Sequence, residues 1–295
     1  MNSIVISVII VTFNSENYIA DCIKSVLKYT YKFLVEIIVV DNNSQDNTIT
    51  ILNEFKDNIE ILFNNKNFGY AYACNRGIQF SKGNYILILN PDTKIKNDVL
   101  NYFISFIDSS LNENVWCIGA QLFDEYEKAI KSYGNFPKIL DVFLEQFGIK
   151  WLMLRIIPKS NIAKKRLHLQ NTFVQYVLGC NMFIRKSVLD EIGLFDERFF
   201  LNFEETELSW RANKAGYKSM ILPKAKILHY SGKSFPDKKN YLSHLWLGQL
   251  LFFKLTKNQF IFLISKFLHL FGSAIRWIVR LDNFYLLHLK KIKSI

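Results

Sequence analysis

The chain has 295 residues, half of them hydrophobic and 21% charged, which is enough apolar material for one large core or two modest ones and excludes a disordered chain. Only 12 glycines and 5 prolines occur, without a repeat at fixed period, which excludes low-complexity and collagen-like sequences. The net charge of +11 is concentrated: residues 241–295 carry eight Lys/Arg against Asp282 alone, and 131–170 carry eight against Asp141 and Glu145.

Cys22, Cys74, Cys117 and Cys180 lie far apart with no C-x-x-C pair, so neither a zinc cage nor a disulfide framework is expected, and a reduced, cytosolic compartment is. The apolar N-terminus lacks a basic region and a small-residue cleavage site, and reads as a buried strand instead of a signal peptide. The apolar stretch 260–281 is interrupted by Lys266, His269, Arg276 and Arg280, which argues against an uninterrupted membrane span.

Along the chain, β-branched runs alternate with amphipathic ones. Strands are predicted at 4–12, 35–40, 59–63 and 85–89, with helices at 16–29, 46–55 and 70–80 between them. This βαβαβαβ order predicts a Rossmann-like, mostly parallel sheet flanked by helices, with its ligand site at the carboxyl ends of the strands. Beyond residue 92 the spacing predicts a helix at 98–107, a strand at 115–123, a basic amphipathic segment at 136–169, and renewed pattern at 172–185. A helix at 205–215, strands at 218–222 and 225–230, and a helical extension over 241–295 follow.

The predicted strand ends carry Thr12-Phe13-Asn14, Asp41-Asn42-Asn43-Ser44, residues 64–67, and Asn90-Pro91-Asp92. The first turn, VTFNSENY, holds no glycine, so both the dinucleotide and the P-loop phosphate cradles are absent. A nucleoside diphosphate bound here needs its charge met by a metal or by basic side chains. Asp92 follows the buried run YILIL and can offer the hard oxygen that Mg²⁺ or Mn²⁺ requires. Taken alone, N-P-D-T is equally an ordinary turn before a helix. Glu204, Glu205 and Glu207 cluster beside Phe199, Phe200 and Phe203. Apolar surroundings and mutual repulsion raise the pKa of such acids toward values suited to proton abstraction, while acids at a helix start also simply complement its dipole. His229 ends the last predicted strand; near Asp92 it can serve as a further metal ligand.

Six segments in order, ISVIIVTFNSENYI, EIIVVDNNSQD, NKNFGYAYACNRGI, GNYILILNPDT, VLGCNMFIRKSVLDEIGLFDERFFLNFEE and ELSWRANKAGYK…ILPKAKILHYSGKS, resemble the family 2 glycosyltransferases of GT-A fold, and among them the rhamnosyltransferase-like branch. The resemblance spans about residues 4–235 and implies a GT-A domain over 1–240, with 131–170 as a basic insertion. It implies that Thr12, Asn14 and Glu16 line the nucleotide pocket and that Asp41 and the adjoining Asn43 meet base or ribose. Asn67, Gly69 and Asn75 then close over the nucleoside. Asp92 corresponds to the last acid of the family's D-x-D motif, with Asn90 in place of its first. His229 matches a family histidine near metal and diphosphate. Glu205, where the branch usually has Asp, is the implied general base, with Glu204 as substitute. The implied reaction is an inverting, metal-dependent transfer from a nucleotide sugar such as dTDP-rhamnose or a UDP-sugar to a glycan or lipid-linked acceptor of a cell-surface polysaccharide.

Lys266, His269, Ser273, Arg276 and Arg280 recur at spacings of three and four and form one polar stripe on an otherwise apolar helix. Such a helix either packs on the domain or lies in an anionic membrane interface with its cations at the headgroups; Trp246, Trp277 and Lys290-Lys291-Ile292-Lys293 favour the interface. A peripheral enzyme on the inner face of the cell membrane is therefore expected. Nucleic acid is not an expected partner, because the basic residues border apolar helices. A nucleotidyltransferase needs a glycine-rich basic loop that VTFNSENY lacks, and a non-catalytic membrane scaffold is supported only by the Asn90, Glu205 and Glu207 departures.

Overall fold

The β-branched runs do form the sheet. In the computed structural model, which describes residues 6–30, 33–149, 169–230 and 238–295, β1 (Ile6–Thr12), β2 (Val35–Asp41), β3 (Glu60–Phe63) and β4 (Tyr85–Leu89) pair in parallel in the order β3-β2-β1-β4. Helices α1 (Ile19–Leu27), α2 (Thr48–Asn53) and α3 (Tyr70–Phe80) link them. Both faces are covered, and the two-residue strand period divides the apolar side chains between two cores: Ile6, Val8 and Ile10 enter one, Ile9 and Val11 the other. Each such buried aliphatic side chain contributes about 1.5–3 kcal/mol.

The second half extends the sheet with mixed direction. The chain runs through β5 (Thr93–Ile95), α4 (Val99–Ile107), β6 (Val115–Phe123), β7 (Tyr133–Gly134), α5 (Ile139–Gln146), β8 (Thr172–Val174), β9 (Tyr176–Val177), β10 (Asn181–Arg185), α6 (Lys186–Ile192), α7 (Glu204–Lys214) and β11 (Lys218–His229). The nine-stranded sheet has the order β3-β2-β1-β4-β10-β6-β11-β5, with β8 beside β11, and β7 pairs with β9 separately. β10 is antiparallel to β4 and β6, and β11 is parallel to β6.

Several boundaries differ from expectation. The helix expected from residue 16 begins at Ile19 because the preceding loop is spent on links to the β2–α2 loop: Glu16 N–H donates to Asp46 (3.1 Å), and its carboxylate accepts from Asn47 N–H (2.9 Å). The two strands expected at 218–222 and 225–230 are one strand, whose register against β6 slips between Leu222 and Lys226, around Pro223, which has no N–H to give the ladder. β5 and α6 were not expected. Of the basic segment at 136–169, α5 forms its start and residues 150–168 lie outside the described residues, as do residues 231–237.

The extension folds as α8 (Lys238–Thr256), α9 (Gln259–Arg280) and α10 (Asn283–Ser294), started by side-chain caps at Asn258 and Asp282. The polar stripe of α9 is inverted from the membrane orientation: it faces protein. His269 and Ser273 are fully buried, with Gln146 of α5 joined to His269 Nδ1 (2.8 Å). Arg276 donates to Gln146 Oε1 (2.8 Å) and the Glu145 carbonyl (3.0 Å) and lies over the Trp246 ring, 4.8 Å from its centroid. Gly272 permits this approach, since a Cβ there would stand 2.8 Å from Gln146 Oε1. The apolar face points outward instead, with Phe260, Phe267, Ile278 and Val279 each 61–75% exposed. The Arg280 side chain is outside the described residues.

Candidate active site

From β1 the chain moves outward through β2 to β3, then returns to the other side of β1 as β4. The carboxyl ends of β1 and β4 therefore form the switch point at which an open α/β sheet binds ligands. A cleft opens there, lined by Thr12, Phe13 and Ser15 after β1, Asn90 and Pro91 after β4, and Phe200 and Leu201 opposite. Its cavity measures about 100 Å³, and with its open mouth the empty space is about 540 Å³. The enclosed part is smaller than the ~300–1,000 Å³ of small-molecule pockets, and the larger figure includes space that is continuous with solvent.

The sequence-predicted residues divide between lining and support. Thr12, Asn67, Gly69 and Asn90 line the cleft, and the buried Thr12 hydroxyl has no partner among the described residues. Gly69 has φ 95°, and a Cβ there would lie 2.6 Å from the Phe200 carbonyl oxygen, so only glycine lets the two walls meet. Asn67 Oδ1 accepts from Gly69 N–H (2.9 Å), and Tyr70 N–H donates to Phe200 O (2.7 Å). Asp41 is fully buried and turned into its own loop, accepting from the Ser44 N–H (2.9 Å) and hydroxyl. Asn14 and Glu16 staple that loop from the β1 side, Asn14 Oδ1 accepting from Gln45 N–H (2.7 Å). Asn43 is exposed, with φ 67°. Asn75 stands away from the cleft: it donates to Phe195 O (2.9 Å) and Glu197 (2.9 Å) and accepts from Phe195 N–H (3.0 Å). It thereby anchors the segment that leads to Phe200.

Strand register assembles the acidic end. β5 runs antiparallel to β11 with His229 opposite Thr93, which brings His229 Nε2 within 3.4 Å of Asp92 Oδ1; the Asp92 side chain is almost wholly buried. Burial opposes charge on His229, but the neighbouring Cys180 and Asp92 outweigh it and push the imidazole up to about 11. A buried carboxylate that holds a cationic partner is a fitting donor for a metal, which takes the place of the imidazole proton. Among the described residues no third His, Cys, Asp or Glu completes a three-ligand cluster. The donor set thus suits a hard divalent ion that keeps most of its coordination sphere for phosphate and water.

The antiparallel β10 starts beside the end of β4, with Asn181 opposite Leu89, so the Gly179-Cys180 turn lies against Asn90. Tyr70 ties this together: its hydroxyl contacts Asn90 Oδ1 (2.9 Å) and Gly179 O (3.0 Å). On the other flank of the turn, a Cβ added to Gly179 would lie 3.8 Å from Glu204 Oε1 and 3.8 Å from Glu205 Cβ. Asp92 and His229 therefore adjoin Cys180, and Glu204 and Glu205 adjoin Gly179 across one turn.

Glu204 and Glu205 open α7, just after Asn202 (φ 69°) and Phe203 (φ 73°), two non-glycine residues in left-handed conformation at a cost of about 1–3 kcal/mol each. One carboxylate oxygen of each acid is buried without a hydrogen-bond partner among the described residues. Burial raises Glu204 well above the usual carboxylate range, and the Glu205 charge adds to this; burial raises Glu205 as well, with backbone amides holding it back. Glu207 has a structural role, pairing with Arg211 at 2.8 Å. Tyr176, Tyr241 and Lys131 act electrostatically on or with Glu205. These residues, with Tyr70 and the Gly179-Cys180 turn, were missed by sequence reading; only Tyr70, Gly179 and Cys180 fall inside motif segments, and their spacing carries no chemical signature.

The Asp92–His229 pair and the Glu204–Glu205 pair thus flank one turn beside the switch-point cleft of an α/β fold, and none of the four is among the residues that line the cleft. The Glycosyl transferase family 2 model matches residues 7–193, and the chain belongs to that family; it is a glycosyltransferase. It is 23% identical over 261 residues to the N-acetylglucosaminyl-diphospho-decaprenol L-rhamnosyltransferase of Mycobacterium tuberculosis, covering 83% of this chain and 80% of that one. It is 37% identical over 180 residues to glycosyltransferase GlyG of Streptococcus pneumoniae, covering 55% and 57% respectively. Among solved structures, GalNAc-T7 with UDP, GalNAc and Mn²⁺ superposes with TM-score 0.64 at 17% identity, over 99% of this chain and 56% of that chain. Mannosyltransferase PcManGT from Pyrobaculum calidifontis, with GDP-Man and Mn²⁺, gives 0.59 at 13%, over 100% and 76%. The fold is GT-A.

Proposed function

We propose that the chain transfers a hexose, rhamnose foremost, from a nucleoside diphosphate donor to a hydroxyl of a glycan or lipid-linked acceptor in cell-surface polysaccharide assembly, with inversion at the anomeric carbon. The observation that carries this reading is the pairing of Asp92–His229 with Glu204–Glu205 across the Gly179-Cys180 turn. Glu205 accepts the acceptor hydroxyl's proton as the new oxygen–carbon bond forms, and the bond from the anomeric carbon to the diphosphate breaks, the electron pair leaving with phosphate oxygen. Asp92 and His229 would hold Mg²⁺ or Mn²⁺, which when bound neutralises the diphosphate charge. Tyr70 fixes Asn90 and the turn, and Gly69 and Phe200 wall the nucleoside. A non-catalytic scaffold gains nothing from two buried acids with unpartnered oxygens, because each costs stability. The rhamnosyl donor and a lipid-linked acceptor are supported by the name of the Mycobacterium tuberculosis relative. A thermal-shift screen of nucleotide sugars with and without Mn²⁺ tests the reading: one base and sugar should raise the melting temperature, and more so with the metal. No stabilisation by any nucleotide sugar would remove it.

The same proposal places the enzyme at the cytoplasmic face of a membrane. The outward apolar face of α9, with Trp277 and the nearby Lys290, Lys291 and Lys293, supports contact with an anionic bilayer through hydrocarbon first and cations second. Gln259–Val279 is also long and apolar enough to cross a membrane, with 28% of its apolar window buried. Phe267→Asp combined with Ile278→Asp should abolish sedimentation with anionic liposomes even at low salt, whereas unchanged sedimentation of this variant would assign binding elsewhere.

A further inference from the structure

The short ladder of β7 and β9, separate from the main sheet, runs into the turn that carries the acid pair on its flank. Tyr133 lies opposite Val177 and Gly134 opposite Tyr176 in antiparallel register, and one step further Leu178 N–H donates to the Ser132 carbonyl (3.2 Å). Continued by one residue more, this register sets Lys131 opposite Gly179. Opposite residues of an antiparallel pair project from the same face. At Gly179 that face looks at the acids, since a Cβ added there would lie 3.8 Å from Glu204 Oε1 and 3.8 Å from Glu205 Cβ. The flexible stem of Lys131 therefore leaves the ladder on the side of Glu204 and Glu205, and because the residue is exposed its ammonium stays hydrated beside them.

Three anchors hold the register. Ser132 Oγ, next to Lys131, accepts from Leu122 N–H (2.8 Å) and Gln121 Nε2 (3.1 Å) of β6. The Tyr176 ring crosses the ladder at Gly134, where a Cβ would fall within the ring. Phe136 N–H donates to Gln175 Oε1 (2.5 Å) beyond it.

The two acids meet different surroundings. Burial raises Glu204 well above the usual carboxylate range, the Glu205 charge adds to this, and the Glu204 backbone amide opposes them. Burial raises Glu205 too, but the amides of Glu205 and Thr206, then the Lys131 ammonium, then the Gly179 amide favour its charged form. Lys131 thus acts on Glu205 and is not among the groups that act on Glu204. The other elements packed on the pair present neutral groups. Burial, with the acids adding to it, pushes up the Tyr176 phenol of β9, the Tyr241 phenol of α8, and Tyr70 and Cys74 of α3. Glu207 and Arg211 pair with each other at 2.8 Å further along α7, and Lys239 at the start of α8 pairs with Asp282 at 2.7 Å.

We propose that Lys131 is a positioning residue for the charge of this site: set opposite Gly179, its cation keeps the negative charge on Glu205 and leaves the proton on Glu204. The consequence for catalysis rests on the glycosyl-transfer reading above and adds to it the reason that one of two neighbouring acids is the base. Two like charges this close do not both form readily, and a proton shared evenly between the acids would leave each only partly available to accept another. A cation on one side of the pair resolves the choice. Lys131 lies between the motif segments, at the start of the stretch read from sequence as a basic insertion.

Carboxyl-carbon NMR of the glutamate-labelled protein reads the acids directly, with Glu204→Gln and Glu205→Gln assigning the signals. In Lys131→Met the Glu205 midpoint should rise by roughly half a pH unit, less than the ~1–3 of a close pair because Lys131 is exposed and screened. Lys131→Arg should keep the parent value. High salt should raise the parent midpoint toward that of Lys131→Met and move the variant little. Lys131→Met combined with Glu204→Gln should show the same rise as Lys131→Met alone, because the partner acid is neutral. Should Lys131→Met not fold, Lys131→Gln is held to the same criteria. A second readout is the pH dependence of dTDP-rhamnose hydrolysis, with water in the acceptor's place, whose acid limb should rise with the midpoint. A Glu205 midpoint that stays in Lys131→Met, or rises as far in Lys131→Arg, overturns the proposal. A rise that disappears when Glu204 is replaced overturns it too, since Lys131 then acts through Glu204. A midpoint that moves while the limb stays upholds the charge placement and defeats Glu205 as the base. No hydrolysis by the parent protein defeats the rhamnosyl donor, and the carboxyl midpoint still decides the role of Lys131.

Discussion

Asp92→Asn is expected to reduce sugar transfer by about 10³-fold or more while the protein still folds. The substitution keeps shape and removes one negative charge at a side chain that is almost wholly buried against His229. Stabilising a departing diphosphate through a bound cation is worth several kcal/mol, and each ~1.4 kcal/mol is a factor of ten in rate. The variant also loses one of the reasons that His229 holds its proton: without the Asp92 charge, burial regains influence and the imidazole titrates below its parent value of about 11. Two measurements separate chemistry from structure. Melting in the absence of metal should show a cooperative transition, and Mn²⁺ with nucleotide should stabilise the parent protein and not the variant. A variant with parental rate and parental Mn²⁺ response would falsify the assignment of Asp92.

The cleft at the ends of β1 to β4 was legible in the sequence because its physics is local. β-branched runs at regular spacing define β1 to β4, and parallel strands put their following loops on one edge, so Thr12, Asn67 and Asn90 could be placed before any coordinates. Roles within those loops were less legible. Asp41, Asn14 and Glu16 are polar residues at strand ends, yet their hydrogen bonds are spent on one another's loops, and a motif does not distinguish a residue that touches a ligand from one that holds the residue that does. The flank that carries Glu204 and Glu205 depends on long-range pairing. Antiparallel insertion of β10 beside β4 brings Gly179 to Asn90, and Tyr241 reaches the acids from an extension outside the family motifs. On α9 the period was right and the direction inverted. Periodicity identifies a polar face, but which face turns inward depends on the partners that α5 offers, here Gln146 and the Glu145 carbonyl.

Glu205→Gln should lower kcat by about 10²–10⁴-fold, the usual contribution of a positioned general base, with little change in the KM for the donor, whose described cleft does not include Glu205. Glu204→Gln should be milder, less than about tenfold at the optimum, and should leave the acid limb near its parent position, because Glu205 ionises while Glu204 is still neutral. Burial raises both, and the Glu205 charge raises Glu204 further. The base works only when ionised, so the acid limb of the parent kcat lies above the ordinary carboxylate value of 4.5. The Glu205 charge is what raises Glu204 further, so Glu205 ionises beside a neutral Glu204, and Glu204→Gln removes no charge that Glu205 meets. Stability provides a readout independent of turnover. A carboxyl whose folded pKa exceeds its unfolded one contributes stability that is fully present below the unfolded value and is lost as pH rises through the folded value. Glu204→Gln should therefore melt above the parent protein at pH 8 and lose that advantage near pH 4. Equal melting temperatures at both pH values would mean that Glu204 is not held as a buried acid, and an acid limb moved to lower pH would mean that Glu204 ionises before Glu205.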